Sequence, residues 1–209
     1  MNYSELAFSD AAKALQVQYG SRRIYEQVEK QNIVDGLTDN EKLFIAHQDH
    51  FYMASIGENG YPYIQHRGGP EGFVKILDDH TLAFVDFSGN KQYITAGNIE
   101  TDSHVSIIMI SYPHRARLKL YAKARVLTLQ DDPELFARID PADYKHRPER
   151  MFVLDIIAYD WNCPQHITPR YTTDEINQAY ASQRVHISEL EAENIRLKTE
   201  LENLKKTSK

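Results

Sequence analysis

The chain has 209 residues, with 24 Lys and Arg against 30 Asp and Glu, for a formal charge of −6. That length can bury a sizeable core in one medium domain with appendages, and the acidic balance argues against general nucleic-acid binding. The single Cys163 excludes an intrachain disulfide framework. No apolar run is long enough for a membrane span, and the opening MNYSELAFSDAAK lacks a charged region ahead of a long apolar stretch, so a cytoplasmic protein is expected.

Residues 1–37 mix polar and apolar positions, with helical spacing at Ala11–Leu15 and Ile24–Val28, and are expected to form an arm packed on the main domain. Thr38-Asp39-Asn40-Glu41 has the form of a capping box ahead of a short helix over Lys42–His47. Phe51–Ile56 and Tyr61–His66 flank Gly57-Glu58-Asn59-Gly60 and predict a hairpin with Asn-Gly at its turn. Phe73–Leu77 and Thr81–Phe87, joined by Asp78-Asp79-His80, predict a second hairpin. Val105–Ser111, Leu118–Leu129 and Met151–Tyr159 complete the strands, with a short helix at Asp132–Ile139. Six or seven strands with short turns and few long helices indicate a mainly β protein with peripheral helices, an antiparallel barrel closed or nearly so.

From Ile187 onward the chain follows a heptad. Ile187, Asn194 and Leu201 take position a, and Leu190, Leu197 and Leu204 take position d. Positions g and e supply Glu193 with Lys198 and Glu200 with Lys205, the spacing of interhelical ion pairs in a parallel dimer. Ile187–Leu204 spans roughly 27 Å as a helix. A lone amphipathic helix lying on the barrel is the alternative, and the narrow seam with matched charges favours a short two-stranded coiled coil. The expected segments are therefore an arm at 1–37, a barrel domain at 38–178 and a C-terminal helix at 179–209.

The stretch His66–Asn98 holds the groups with the most evident chemistry. Arg67 precedes one strand, Lys75 lies in it, and Ser88-Gly89-Asn90-Lys91-Gln92 follows the next, just before a helix start. Cations, a hydroxyl, amides and a permissive glycine at a helix N-terminus suit an anion. Any one of these lysines alone reads better as a solvated edge charge that blocks aggregation; their joint placement points to a ligand. Alternation through Arg115, Arg117 and Lys119 predicts a cationic strand face. Cys163 and His166 are too few for a metal site, and none of the nine histidines sits in an HExxH pattern. The chain has no GxSxG elbow, Walker loop or GxGxxG fingerprint, so the corresponding hydrolase, triphosphatase and open-sheet dinucleotide folds lose support.

Over about Thr38–Arg170 the chain resembles the pyridoxamine 5′-phosphate oxidase-like family of FMN-binding split β-barrels. The resemblance implies a homodimeric antiparallel split β-barrel with FMN at the dimer interface. It places Lys75 at the family's strand lysine and Asn90, Lys91 and Gln92 with Ser88 in the phosphate loop. Val85 and Asp86 fall at positions facing the flavin, Arg67 stands in for a family arginine, and Arg117 falls where a glutamine commonly supports the ring edge. Trp161 and Gln165 lie in the segment that reaches the flavin from the partner subunit. After Trp161, NCPQHITPRY lacks the Arg-x-His-x-Arg run of the vitamin B6 oxidases, with Arg170 the only arginine nearby. The implied function is an FMN-dependent oxidoreductase acting on another small molecule, with NAD(P)H or oxygen as electron partner and no residue assigned as acid or base. The alternatives are a non-catalytic flavin sensor, a deazaflavin protein and a haem-binding or haem-degrading split barrel.

Overall fold

The computed structural model describes residues 2–31 and 35–207; positions 1, 32–34, 208 and 209, in the expected arm and C-terminal helix, lie outside the described residues. The chain divides into two compact units, Met1–Ile167 and Thr168–Lys209.

The first unit is built on a seven-stranded antiparallel sheet. Its strands are β1 (His50–Ile56), β2 (Pro62–Gly68), β3 (Lys75–Ile76), β4 (Thr81–Phe87), β5 (His104–Ser111), β6 (Ala116–Thr128) and β7 (Pro148–Asn162), in the order β2-β1-β5-β6-β7-β4-β3. β2 and β3 are therefore the two edges. Phe51 of β1 and Phe84 of β4 are separated by three strands in that order, yet their rings lie 5.2 Å apart. Only a sheet rolled on itself brings them together, and the seam between β2 and β3 stays open.

Strand alternation explains the interior. On β1, Phe51, Met53 and Ser55 are buried and alternate with half-buried or exposed residues. Inward residues of β1, β4, β5, β6 and β7 join one apolar cluster, closed at its ends by Leu37, Ile45, Ala96 and Ile99. β4 is buried on both faces. Leu82 and Phe84 enter the main core, while Ala83 and Val85 pack with Met151 and Val153 beneath a helix at Pro133–Ile139.

Four helices precede the sheet: α1 (Tyr3–Ala7), α2 (Asp10–Gln18), α3 (Arg22–Gln31) and α4 (Asp39–Ala46). α4 opens with the predicted capping box of Thr38 and Glu41. The expected arm does pack on the sheet, since Tyr3 stacks on Tyr121 of β6 with ring centroids 4.7 Å apart.

Two expectations need correction. Only the second half of Phe73–Leu77 joins β4, with Lys75 and Ile76 paired to it and the Leu77 N–H donating to the Thr81 carbonyl at 2.9 Å, whereas the Phe73 N–H turns back to the Pro70 carbonyl at 3.0 Å and both Phe73 and Val74 are buried. Arg115 does not share a strand face with Arg117 and Lys119; it sits in the turn before β6 with φ of 53°.

After β4 comes α5 (Ile94–Thr101), and α6 is the helix Pro133–Ile139. The second unit contains α7 (Thr173–Ala179), which the sequence reading missed, and α8 (Ala181–Thr207), a continuous helix of 27 residues. No helix among the described residues is long and apolar enough to cross a membrane.

Candidate functional site

A cavity of about 210 Å³ opens at the seam of the rolled sheet. Tyr63, Gln65 and Arg67 reach it from the inward face of the edge strand β2, and Asp86 reaches it from the end of β4. Asp86 shares the face of Leu82 and Phe84, so alternation aims it inward where the apolar core ends. The loop 89–93 and the first turn of α5 form the remaining wall.

That loop is held in an uncommon shape. Lys91 and Tyr93 both have positive φ, 60° and 55°, which non-glycine residues seldom adopt. The Asn90 side chain accepts from the Gln92 N–H at 3.1 Å and shapes the turn between them. No side chain caps the start of α5, whose first N–H groups have no partner within the helix, and Ile94, Thr95 and Ala96 of its first turn line the cavity. The Thr95 hydroxyl donates to Gln65 at 2.6 Å and joins α5 to β2.

Opposite the loop, β7 carries a bulge. Asp86 pairs with Arg150 and Phe87 with Pro148, leaving Glu149 as the extra residue. A bulge of this kind re-aims side chains next to a site. Here Glu149 lines the cavity and accepts from Ser88 Oγ at 3.1 Å, from Arg150 at 3.1 Å and from Tyr93 OH at 3.5 Å. It thus joins both ends of the loop. Burial works to raise the Glu149 pKa, but the Ser88 and Arg150 donors outweigh it and hold the group below the usual glutamate value.

Arg67 forms an ion pair with Asp86, whose other oxygen lies 3.4 Å from Arg150 Nε. Burial pushes the Asp86 pKa up against the pull of the two guanidinium groups, and burial likewise pushes that of Arg67 down. Both Arg67 Nε and Arg150 Nε are buried without a hydrogen-bond partner. Arg67 lies 5.0 Å from the Phe152 ring centroid and Arg150 4.4 Å from that of Tyr93.

Of the residues singled out in the sequence, Arg67, Asp86, Asn90, Lys91 and Gln92 line this cavity. Ser88 stands behind it, bonded to Glu149. The other five do not line it. Lys75 donates to the Gly72 carbonyl at 2.8 Å, and Val85 faces the apolar layer beneath α6. Arg117 donates to the Cys163 carbonyl at 2.6 Å. Trp161 donates to Glu41 at 2.6 Å, and Gln165 is exposed. Tyr63, Gln65, Thr95, Glu149 and Arg150 were missed. Glu149 and Arg150 lie far from the loop in sequence, and only the pairing of β4 with β7 brings them there. No group of three or more His, Cys, Asp or Glu side chains that could hold a metal occurs among the described residues.

The family description "Pyridoxamine 5′-phosphate oxidase" matches residues 37–159, more than half of the chain and all seven strands except the end of β7. The chain belongs to the pyridoxamine 5′-phosphate oxidase family. No curated protein sequence matches it. Among solved structures it is similar to HupZ of Group A Streptococcus, at 13% identity over 65% of this chain and 100% of that one, with a TM-score of 0.46. An FMN-binding protein from Syntrophomonas wolfei is similar at 13% identity over 70% and 97% of the two chains, with a TM-score of 0.45. HutZ of Vibrio cholerae, a haem storage protein, is similar at 16% identity over 59% and 92%, with a TM-score of 0.38.

Proposed function

We propose that this protein binds FMN at the seam cavity and acts, as a homodimeric split β-barrel, in oxidation or reduction of a small molecule. The observation that carries this reading is the convergence of Arg67, Lys91 and the uncapped start of α5 on one cavity. Cations beside free helix N–H groups suit a phosphate. None of the lining side chains is a histidine, which counts against haem ligation at this cavity.

At about 210 Å³ the cavity is smaller than the roughly 300–1,000 Å³ usual for a whole ligand. It fits the phosphate end of FMN, and a second copy would complete the site around the ring. The segment from Trp161 to Gln165, which lies away from its own chain's cavity, is the part of a second copy that the family resemblance assigns to that role. When bound, the flavin would supply hydride or electron transfer; the protein would anchor the phosphate and exclude water. The sequence after Trp161 lacks the basic run of the B6 oxidases, so the substrate is assigned to another class of small molecule, with NAD(P)H or oxygen as electron partner. A cytoplasmic location accompanies this reading.

The visible spectrum of the purified protein, followed by mass analysis of the acid-released chromophore, tests it. Released FMN, or uptake of added FMN in preference to riboflavin, is the expected result. A Soret band, or a colourless protein indifferent to added FMN, overturns it.

A further inference from the structure

We propose that α8 is a docking surface for a second copy of this chain, forming a parallel, in-register two-stranded coiled coil. Ile187, Leu190, Leu197 and Leu201 are each at least half exposed. The helix is unbroken across them. A stripe at a and d spacing on a helix with charged flanks is the narrow seam of a coiled coil, not the broad apolar face of a helix lying on a core.

The charges select the occupant and its direction. In a parallel pair, position g of one helix meets position e of the next heptad on the other. Glu193 then meets Lys198, and Glu200 meets Lys205, with both reciprocal contacts made in a homodimer. His186 and Glu191 stand at the same spacing. Asn194 adds a register signal: in a parallel, aligned pair it meets its own copy at position a, whereas an antiparallel pair sets a against d and buries its amide beside leucine. Within one chain Glu193 makes a long exposed contact to Arg196 at 3.4 Å, which costs little to release. Ile195 and Val185 lie off this seam, at positions b and f, and stay exposed in the pair.

The seam covers fewer than three full heptads, so it is weak as a free-standing coil. Its effect on the whole protein comes through a high local concentration: any other contact between two copies is reinforced by the zipper, and the reverse. This inference does not depend on what the cavity binds.

Cross-linking of the full-length chain tests it, with Cys163→Ser as background. Leu190→Cys, at position d, is expected to give a disulfide-linked dimer under mild oxidation at least ten times faster than Ala192→Cys at position f. In an aligned parallel pair the two d-position Cα atoms come within disulfide reach. In the Leu190→Cys background, Glu193→Lys/Glu200→Lys and Lys198→Glu/Lys205→Glu chains should each cross-link poorly alone and recover when co-expressed. Equal rates at positions 190 and 192, absence of cross-linking at both, or indifference to the charge exchanges overturns the proposal.

Discussion

Arg67 and Asp86 form an ion pair across the seam where the rolled sheet does not close. Arg67 belongs to the edge strand β2, and Asp86 to β4, next to the opposite edge. No backbone ladder joins these strands, so the pair links them through side chains alone. Both side chains are nearly buried, at 12% and 11% exposed.

Breaking a buried pair leaves one charge uncompensated, whereas removing both charges can be nearly neutral. Arg67→Met and Asp86→Leu should therefore each cost roughly 3 kcal/mol, and the double variant much less than their sum. Urea unfolding of the four proteins in the cycle measures this coupling. Additive losses would show that the two residues act independently.

Glu149 presents two opposite expectations for an anionic ligand. As a negative charge in the cavity it repels phosphate; as the acceptor joining Ser88 and Tyr93 it holds the loop in shape. The positive φ angles of Lys91 and Tyr93 make the second effect dominant, because such conformations persist only where surrounding contacts impose them. Glu149→Ala is expected to weaken FMN binding about tenfold, and Glu149→Gln, which keeps an acceptor oxygen, to retain most of it. Tighter FMN binding by the alanine variant would show that repulsion is the larger effect.

The two lysines of the sequence argument separate cleanly in space. Lys91 lines the cavity, and Lys75 is bonded to the Gly72 carbonyl. Lys91→Ala should weaken FMN by roughly 10-fold or more, the value of a charge-assisted phosphate contact. Lys75→Ala should leave the affinity within about twofold, since a group outside the cavity contributes only a screened charge. Fluorescence titration with FMN and, as control, riboflavin distinguishes the two.

Glu41 makes the fold acid-sensitive at a defined point. Burial works to raise its pKa, but donors from the Thr38 hydroxyl, Trp161 Nε1, the Thr38 N–H and Tyr159 OH prevail and place it below the ordinary 4.5. The same contact and burial push the Tyr159 phenol up to about 12. A carboxylate depressed by folding adds stability that is complete above the unfolded value and lost as pH falls through the folded one. Stability should therefore fall as pH drops below about 4.5. Glu41→Ala should cost roughly 2–3 kcal/mol at pH 7 and flatten that slope. Urea midpoints at pH 7 and pH 4 measure both effects, and an unchanged acid slope in the variant would assign the sensitivity to other carboxylates.

The amino-acid sequence by itself determined the parts of this protein that depend on neighbours along the chain. Apolar runs bounded by turn residues marked β1, β2, β4, β5, β6 and β7, the Thr38–Glu41 box marked the start of α4, and the heptad marked α8. These signals are local because backbone periodicity and capping involve residues only a few positions apart. It also determined that Arg67, Asn90, Lys91 and Gln92 were candidates for one site, since each lies close to a strand end or turn, while Asp86 entered through the family resemblance. Only the tertiary structure decided that Lys75 donates to Gly72, that Val85 faces an apolar layer, that Glu149 enters the cavity and that Arg150 pairs with Asp86 behind it. A two-residue strand and a bulge change which face a side chain occupies, and both are set by pairing with strands far along the chain.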